Sequence, residues 1–142
     1  MFSKSGDSSH RVLVADDDPV MRRLLTGIIE REGYTAVTAE DGRAAYRILQ
    51  SDADFCGAIF DMMMPNLNGL EVIRYMRTEK RLMRIPVMMV TSEQDLKFTA
   101  ASFAAGATVF LPKPFTAAQF QITFKILVAE RRVAACSSQS DG

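Results

Sequence analysis

The sequence contains no tryptophan, one histidine and only two cysteines among its 142 residues. The single histidine, His10, lies in a polar N-terminal segment, so neither a catalytic triad nor a histidine metal cluster can be assembled. Cys56 and Cys136 lack the spacing of metal ligands, and we interpret them as a core thiol and a tail thiol in a reducing compartment. The chemistry of this chain must therefore rest on other residue types.

An excess of charge and a long apolar run are also missing. The 17 basic and 17 acidic residues balance, which argues against a nucleic-acid partner and against a polybasic membrane anchor. No stretch approaches the roughly 18 apolar residues that a membrane span requires. Residues 1–10 are polar and lack the apolar core of a signal peptide, so we expect a cytoplasmic protein with no membrane contact.

What the sequence does contain is an alternation of short apolar runs and amphipathic segments. The predicted strands are residues 11–15, 35–39, 57–60, 87–90 and 108–111, and the predicted helices are residues 19–32, 41–50, 67–80, 94–105 and 116 to about 132. The strands are apolar on both faces, which is typical of a parallel sheet covered by helices on each side. We therefore predict one α/β domain over residues 11–132, between a disordered segment at 1–10 and a flexible tail at 133–142.

Polar side chains follow four of the five predicted strands. Asp16 and Asp17 come after the first strand, Asp61 after the third, Thr91 after the fourth and Lys113 after the fifth. In parallel sheets ligands bind outside the carboxyl ends of the strands, so we expect these side chains to share one site. Three acids, a hydroxyl and an ammonium suit a divalent metal and a phosphoryl group. No glycine-rich nucleotide loop follows any strand, which argues against the usual nucleotide-binding folds.

This set of residues resembles the receiver domain of two-component response regulators, in particular the single-domain chemotaxis type. Pro65 and Gly69 after the central acid, and Pro114 after the lysine, extend the resemblance, which covers residues 11–132. The resemblance implies a flavodoxin-like doubly wound (βα)5 fold, with a five-stranded parallel sheet in the order 2-1-3-4-5.

The resemblance also implies a role for each acid. Asp61 corresponds to the phosphoacceptor, which takes a phosphoryl group from a histidine kinase or a histidine phosphotransfer protein in the presence of Mg²⁺. Asp17 corresponds to a direct Mg²⁺ ligand and Asp16 to one that acts through water, while Asp61 and the backbone carbonyl of Met63 complete the metal site. Three carboxylates in one pocket repel one another, and a hard divalent ion with oxygen ligands relieves that repulsion.

Three further positions correspond to the switch of a receiver. The resemblance implies that the Thr91 hydroxyl follows the phosphoryl group, that Lys113 is its charge partner, and that Phe110 is the aromatic switch residue. Phe110 can also be a plain core residue, although the switch interpretation is favoured. Two departures from the family pattern are Ser92, where alanine is usual, and Pro112 before the lysine; neither removes a required group.

The predicted fifth helix carries apolar residues on two sides. One stripe is assigned to the core and consists of Phe120, Phe124 and Leu127. Ile122 and Ile126 fall on another side, where a solvated helix would carry polar residues, unless they tuck under neighbours. We expect them to belong to an output face formed by helix 4, strand 5 and helix 5, which binds a downstream target protein or a second copy of the chain.

Other functions are compatible with parts of this pattern. The chain can be a receiver fragment of a longer multidomain regulator, or an adaptor that works without phosphorylation, although the complete set of site residues argues against the adaptor. A hydrolase of the haloacid-dehalogenase type needs a second acid two residues after its nucleophile, where this chain has Met63. We expect a signalling domain that catalyses only its own phosphotransfer and dephosphorylation, rather than an enzyme.

Overall fold

Five strands alternate with five helices over the part of the chain that the computed structural model describes, residues 10–92 and 96–141. The strands are β1 (Arg11–Ala15), β2 (Thr35–Ala39), β3 (Gly57–Asp61), β4 (Val87–Thr91) and β5 (Val109–Pro112). The helices are α1 (Pro19–Arg31), α2 (Gly42–Ser51), α3 (Gly69–Thr78), α4 (Leu96–Ala105) and α5 (Ala117–Asp141). Two predictions lie partly outside the described residues. They are the disordered segment at 1–10, of which only His10 is described, and the start of the fourth helix at residue 94.

All strand pairs are parallel, and the sheet order is β2-β1-β3-β4-β5. The predicted α/β class and the order 2-1-3-4-5 are therefore confirmed. In register, Ala15 pairs with Phe60, Asp61 with Val90, and Thr91 with Pro112. The carboxyl ends of β1, β3, β4 and β5 consequently meet at one edge of the sheet.

The helices form two layers, because each face of the sheet is apolar and must be covered. α1 and α5 pack on one face, while α2, α3 and α4 pack on the other. The stripe predicted for the core of α5 is fully buried and consists of Phe120, Phe124 and Leu127. Ile122 and Ile126, on the other side of the same helix, are 62% and 49% exposed, as expected.

Side-chain caps set where the helices begin. The Asp18 carboxylate accepts a hydrogen bond from Val20 N, and Pro19 occupies the first turn of α1, as the sequence predicted. α3 begins at Gly69 rather than at residue 67, because Asn68 is its N-cap and forms a capping box with Glu71.

The last helix is longer than predicted. α5 continues to Asp141, whereas the sequence analysis ended it near Arg132. Residues 133–141 contain neither proline nor glycine, so nothing in the local sequence stops the hydrogen-bond ladder. The predicted end of the fifth helix near Arg132 is therefore wrong, while the flexibility of residues 133–142 stays a prediction.

Candidate functional site

Asp61 is the last residue of β3 and is only 8% exposed. It lies at the centre of the edge where the carboxyl ends of the strands meet, which we call the strand-end edge. β1 lies on one side of β3 and β4 on the other. Its neighbour Met62 donates its backbone N–H to Val90 O at 3.0 Å, which extends the ladder one residue past Asp61. The carboxylate is therefore carried by a strand that is held from both sides.

Three carboxylates meet at this edge. Asp16, Asp17 and Asp61 each place a carboxylate oxygen within 4.8 Å of the other two. Asp16 is 1% exposed, whereas Asp17 is exposed to solvent. The backbone N–H of Asp18 donates to Asp16 Oδ1 at 2.9 Å, and that of Met63 donates to Asp61 Oδ1 at 3.3 Å. The structure thus brings together the three acids that the sequence assigned to one site.

Lys113 joins the two buried acids. Its Nζ lies 3.4 Å from Asp16 Oδ2 and 3.5 Å from Asp61 Oδ2. Its backbone N–H donates to Thr91 O at 2.7 Å, so the end of β4 positions the loop that carries the ammonium. The Lys113–Pro114 peptide bond is cis.

Burial dominates the electrostatics of both inner acids. Burial and, after it, the nearby Asp16 carboxylate raise the pKa of Asp61 to about 6, against the opposing effects of Lys113 and the Met63 N–H. Burial also raises the pKa of Asp16 above its ordinary value, against the opposing effects of the Asp18 N–H and Lys113. Both acids therefore lack enough positive charge to stabilise their ionised forms.

The donor set fits a hard divalent cation. Three carboxylates and one ammonium leave a formal charge of −3 + 1 = −2 when all are ionised. Oxygen ligands of this kind are the ones that small divalent cations prefer. Within the described residues no N–H donates to the Met63 carbonyl, whereas the Met62 carbonyl accepts from Gly69 N at 3.1 Å. The Met63 oxygen is therefore available as a further ligand.

Thr91 and Phe110 lie beside this cluster in the sheet. Thr91 ends β4, has no exposed surface, and follows Val90, the residue that pairs with Asp61. Phe110 is half-buried in β5, pairs with Met89, and packs against the core on the α3 and α4 side. This position agrees with a switch role and with a core role alike.

Sequence reasoning missed Arg22. Its Nη1 donates to the backbone oxygen of Asp16 at 2.6 Å, and this contact holds the loop that carries Asp16 and Asp17. The signal available in the sequence was a basic residue one turn into the helix that begins after Asp18. Sequence reasoning also missed why residue 69 is a glycine. A Cβ at this position would lie 2.7 Å from Asp61 O.

Comparison with known proteins agrees with this geometry. The sequence profile of the response regulator receiver domain matches residues 12–125. The chain belongs to this family. Members of the family are phosphoacceptors in two-component signalling, so the receiver assignment made from the sequence is confirmed. Receivers are signalling domains, and the acidic cluster is compatible with the Mg²⁺ that they bind.

Two curated relatives show different extents. Chemotaxis protein CheY1 of Helicobacter pylori is 36% identical over 107 residues, which span 75% of this chain and 86% of that protein. Response regulator MprA of Mycolicibacterium vanbaalenii is 37% identical over 105 residues, but these span only 44% of that protein. Receivers similar to this chain thus occur both as most of a protein and as part of a longer regulator.

Solved structures share the fold. Chemotaxis response regulator CheY4 of Vibrio cholerae is 30% identical with a TM-score of 0.77, and the match covers 82% of this chain and 97% of that one. The receiver domain of sensor histidine kinase PA1611 of Pseudomonas aeruginosa, which has a magnesium ion coordinated in its active site cleft, is 22% identical. Its TM-score is 0.76 over 84% of this chain and 98% of that one, and at this identity it shows the fold alone. Among the residues described for this protein, no helix combines the length and apolarity needed to cross a membrane.

Proposed function

We propose that Asp61 is the residue that takes the phosphoryl group, from a phosphohistidine of a histidine kinase or of a histidine phosphotransfer protein. The observation that supports this most directly is the position of its carboxylate. It is buried at the end of a central strand, within 4.8 Å of carboxylate oxygens of Asp16 and Asp17, and its Oδ2 lies 3.5 Å from Lys113 Nζ. No structural purpose requires a buried acid at this point.

Transfer of the phosphoryl group to Asp61 involves a single bond exchange at phosphorus. A carboxylate oxygen of Asp61 forms a bond to phosphorus while the phosphorus–nitrogen bond of the phosphohistidine breaks, and the departing imidazole nitrogen takes up a proton. A pKa of about 6 leaves Asp61 mostly ionised at neutral pH, which the attack requires. Lys113 offsets part of the charge that the phosphoryl oxygens bring into the site.

The acids and one backbone oxygen would hold Mg²⁺. Asp17, Asp61 and the Met63 carbonyl would be its direct ligands, and Asp16 would act through water. When bound, Mg²⁺ neutralises charge on the phosphoryl group during in-line transfer. The formal charge of −2 at the site supports a divalent ion.

The phosphorylated site would act on a distant surface through Thr91 and Phe110. The Thr91 hydroxyl turns toward the new phosphoryl group, and the space that it leaves lets Phe110 move inward. This reshapes the face formed by α4, β5 and α5, where the exposed Ile122 and Ile126 lie. A downstream target protein or a second copy of the chain binds there.

Phosphorylation by a small-molecule donor tests the first step. Full-length protein incubated with acetyl phosphate and Mg²⁺ should gain one phosphoryl mass in intact mass spectrometry, and Asp61→Asn should gain none. Asp54→Asn, at a loop acid outside the site, is the matched control and should be phosphorylated like the wild type.

An adduct of undiminished yield in Asp61→Asn would show that Asp61 is not the acceptor. A wild type that gains no phosphoryl group, although it binds Mg²⁺, would favour the phosphorylation-independent adaptor instead.

A further inference from the structure

Arginine and tyrosine side chains gather on the outer surface of α2 and α3, outside the strand-end site. We call this group the α2–α3 surface; it consists of Arg43, Tyr46 and Arg47 in α2, Arg74 and Tyr75 in α3, and Arg81 in the loop after α3. The two helices pack side by side over the same face of the sheet. None of these residues belongs to the proposed site or to the α4–β5–α5 face.

The centre of the α2–α3 surface is already ordered. The rings of Tyr46 and Tyr75 meet edge to face with centroids 4.6 Å apart. Arg81 Nη2 donates to the Tyr75 hydroxyl at 3.2 Å, and Arg81 Nη1 donates to Leu49 O at the end of α2 at 2.7 Å. Side chains that are fixed before binding lose little conformational entropy when a partner docks.

The charge around this centre is only partly neutralised, since Arg81 Nε lies 3.9 Å from Glu79 Oε1. Arg43, Arg47 and Arg74 are exposed, and no ion pair forms at any of them within residues 10–92 and 96–141. α2 contains no acidic residue. The one acid of α3, Glu71, is held in its capping box, where Oε1 accepts from Asn68 N at 2.9 Å. Glu71 and Glu79 offset two of the four arginines, so the surface stays locally cationic in a chain whose net charge is zero.

A merely solvated helix face would not favour this arrangement. Arg43 and Arg47 are spaced i, i+4, and like charges at this spacing destabilise a helix by about 0.2–0.5 kcal/mol. Arginine and tyrosine are the residues enriched at the energetic centres of protein–protein interfaces.

We propose that the α2–α3 surface binds an acidic segment of another protein, one that carries aspartate or glutamate side chains. The planar guanidinium groups of Arg43, Arg47 and Arg74 match carboxylates in two-pronged hydrogen bonds, and the tyrosine pair supplies the apolar contact between them. The zero net charge of the chain disfavours a nucleic-acid partner, because such partners select proteins with a strongly basic domain. We expect binding not to depend on the state of Asp61, because neither Thr91 nor Phe110, the residues proposed to carry the signal, belongs to the α2–α3 surface.

Titration with a charged peptide tests the proposal. The probe is a synthetic peptide of alternating glutamate and serine, added at low salt to the full-length ¹⁵N-labelled chain, with its glutamine–serine analogue as the neutral reference. Amide shifts should concentrate in residues 42–51 and 71–82. Charge reversal in R43E/R47E should weaken binding roughly tenfold, whereas Asp61→Asn should bind like the wild type.

Reversal of two other exposed arginines is the matched control. R23E/R31E, on α1, changes the net charge by the same amount and should leave the affinity within about twofold. R43Q/R47Q removes the charge without adding repulsion; it should weaken binding and keep the unfolding temperature, which separates loss of the surface from loss of the fold.

Three results would overturn the proposal. The first is equal weakening by R43E/R47E and R23E/R31E, which would show general charge attraction. The second is the absence of shifts with the glutamate peptide at low salt. The third is binding of a short DNA duplex, but not of the peptide, at the α2–α3 surface, which would assign this surface to nucleic acid.

Discussion

At the scale of single residues, Asp61 has to meet two opposing requirements. As the proposed nucleophile it must be ionised at neutral pH, yet its burial favours the protonated form and raises its pKa to about 6. Lys113 and the Met63 N–H reduce the cost of ionisation without removing it. The metal-free receiver should consequently be strained electrostatically at the site that a cation and a phosphoryl group are proposed to occupy.

This strain predicts a pH-dependent difference between the wild type and Asp61→Asn. The pKa of Asp61 in the folded protein, about 6, exceeds the ordinary 3.8. The protonated side chain therefore contributes its full stabilisation below pH 3.8, and this stabilisation is lost as the pH rises through 6. In EDTA, Asp61→Asn should exceed the wild type in free energy of unfolding by about 3 kcal/mol at pH 7.5, and this difference should shrink toward zero near pH 4. Urea unfolding at both pH values is the measurement, and a difference that does not change with pH would contradict it.

Asp17 gives a second prediction at this scale. Asp17→Ala removes one of three carboxylates and should weaken Mg²⁺ binding by roughly tenfold or more. The control is Asp18→Ser, which removes a neighbouring carboxylate while keeping a good N-cap for α1. Mg²⁺ titration followed by amide NMR shifts measures both variants. Equal weakening in the two, or shifts that avoid the loops after β1 and β3, would argue against the assigned ligands.

At the scale of secondary-structure elements, close backbone contacts hold loops at the carboxyl ends of the strands, and one arginine holds loops at their amino ends. Gly42, at the start of α2, approaches the loop before α3, where a Cβ would lie 1.6 Å from Leu67 O. Arg77, in α3, donates to Ile85 O at 3.0 Å and to Gly106 O at 2.7 Å, so it ties the start of β4 to the end of α4. These contacts fix the helices that surround the site.

Replacement of Gly42 should therefore be costly. Gly42→Ala should lower the free energy of unfolding by roughly 2 kcal/mol or more, because the backbone oxygen of Leu67 cannot move without displacing the loop. Gly27→Ala, inside α1, is the matched control; its new methyl group would lie 4.0 Å from the nearest atom, Arg31 Nη2. That variant should gain up to about 1 kcal/mol from helix propensity. Urea unfolding of both variants is decisive, and similar effects would refute the role assigned to Gly42.

At the scale of the whole molecule, the two helical layers separate the surfaces that the protein exposes. The site lies at the strand-end edge, the proposed output face lies around β5 between α4 and α5, and the α2–α3 surface lies further along one layer. The proposed phosphorylation of Asp61 should therefore change the output face while the α2–α3 surface stays unchanged.

The output face gives the prediction at this scale. Ile122 and Ile126 are exposed, so I122K/I126K should fold and be phosphorylated normally. Its phosphorylated form should lose dimerisation or target binding, because two ammonium groups would enter an apolar contact. Met83→Lys, at an exposed apolar residue outside this face, is the control and should keep both. Sedimentation with acetyl phosphate measures the dimer, and full association of phosphorylated I122K/I126K would exclude this face.

Much of the fold was predictable because its signals are local. The apolar runs predicted all five strands to within a residue or two, and Asp18–Pro19 predicted where α1 begins. The end of α5 was predicted wrongly, because serines and small residues weaken a helix pattern without terminating it. Arg22 and Arg77 were missed because their partners are backbone oxygens, which leave no mark in a sequence pattern.

The sequence by itself determined the parallel α/β class and the grouping of Asp16, Asp17, Asp61, Thr91 and Lys113, because parallel strands place their carboxyl ends at one edge. Only the tertiary structure decided how these groups interact: which two acids are buried, that one ammonium reaches both, and that burial raises the pKa of each. The same holds for the exposed isoleucines and the cationic α2–α3 surface. Burial and pairing depend on which elements become neighbours, and that is settled by packing rather than by local sequence.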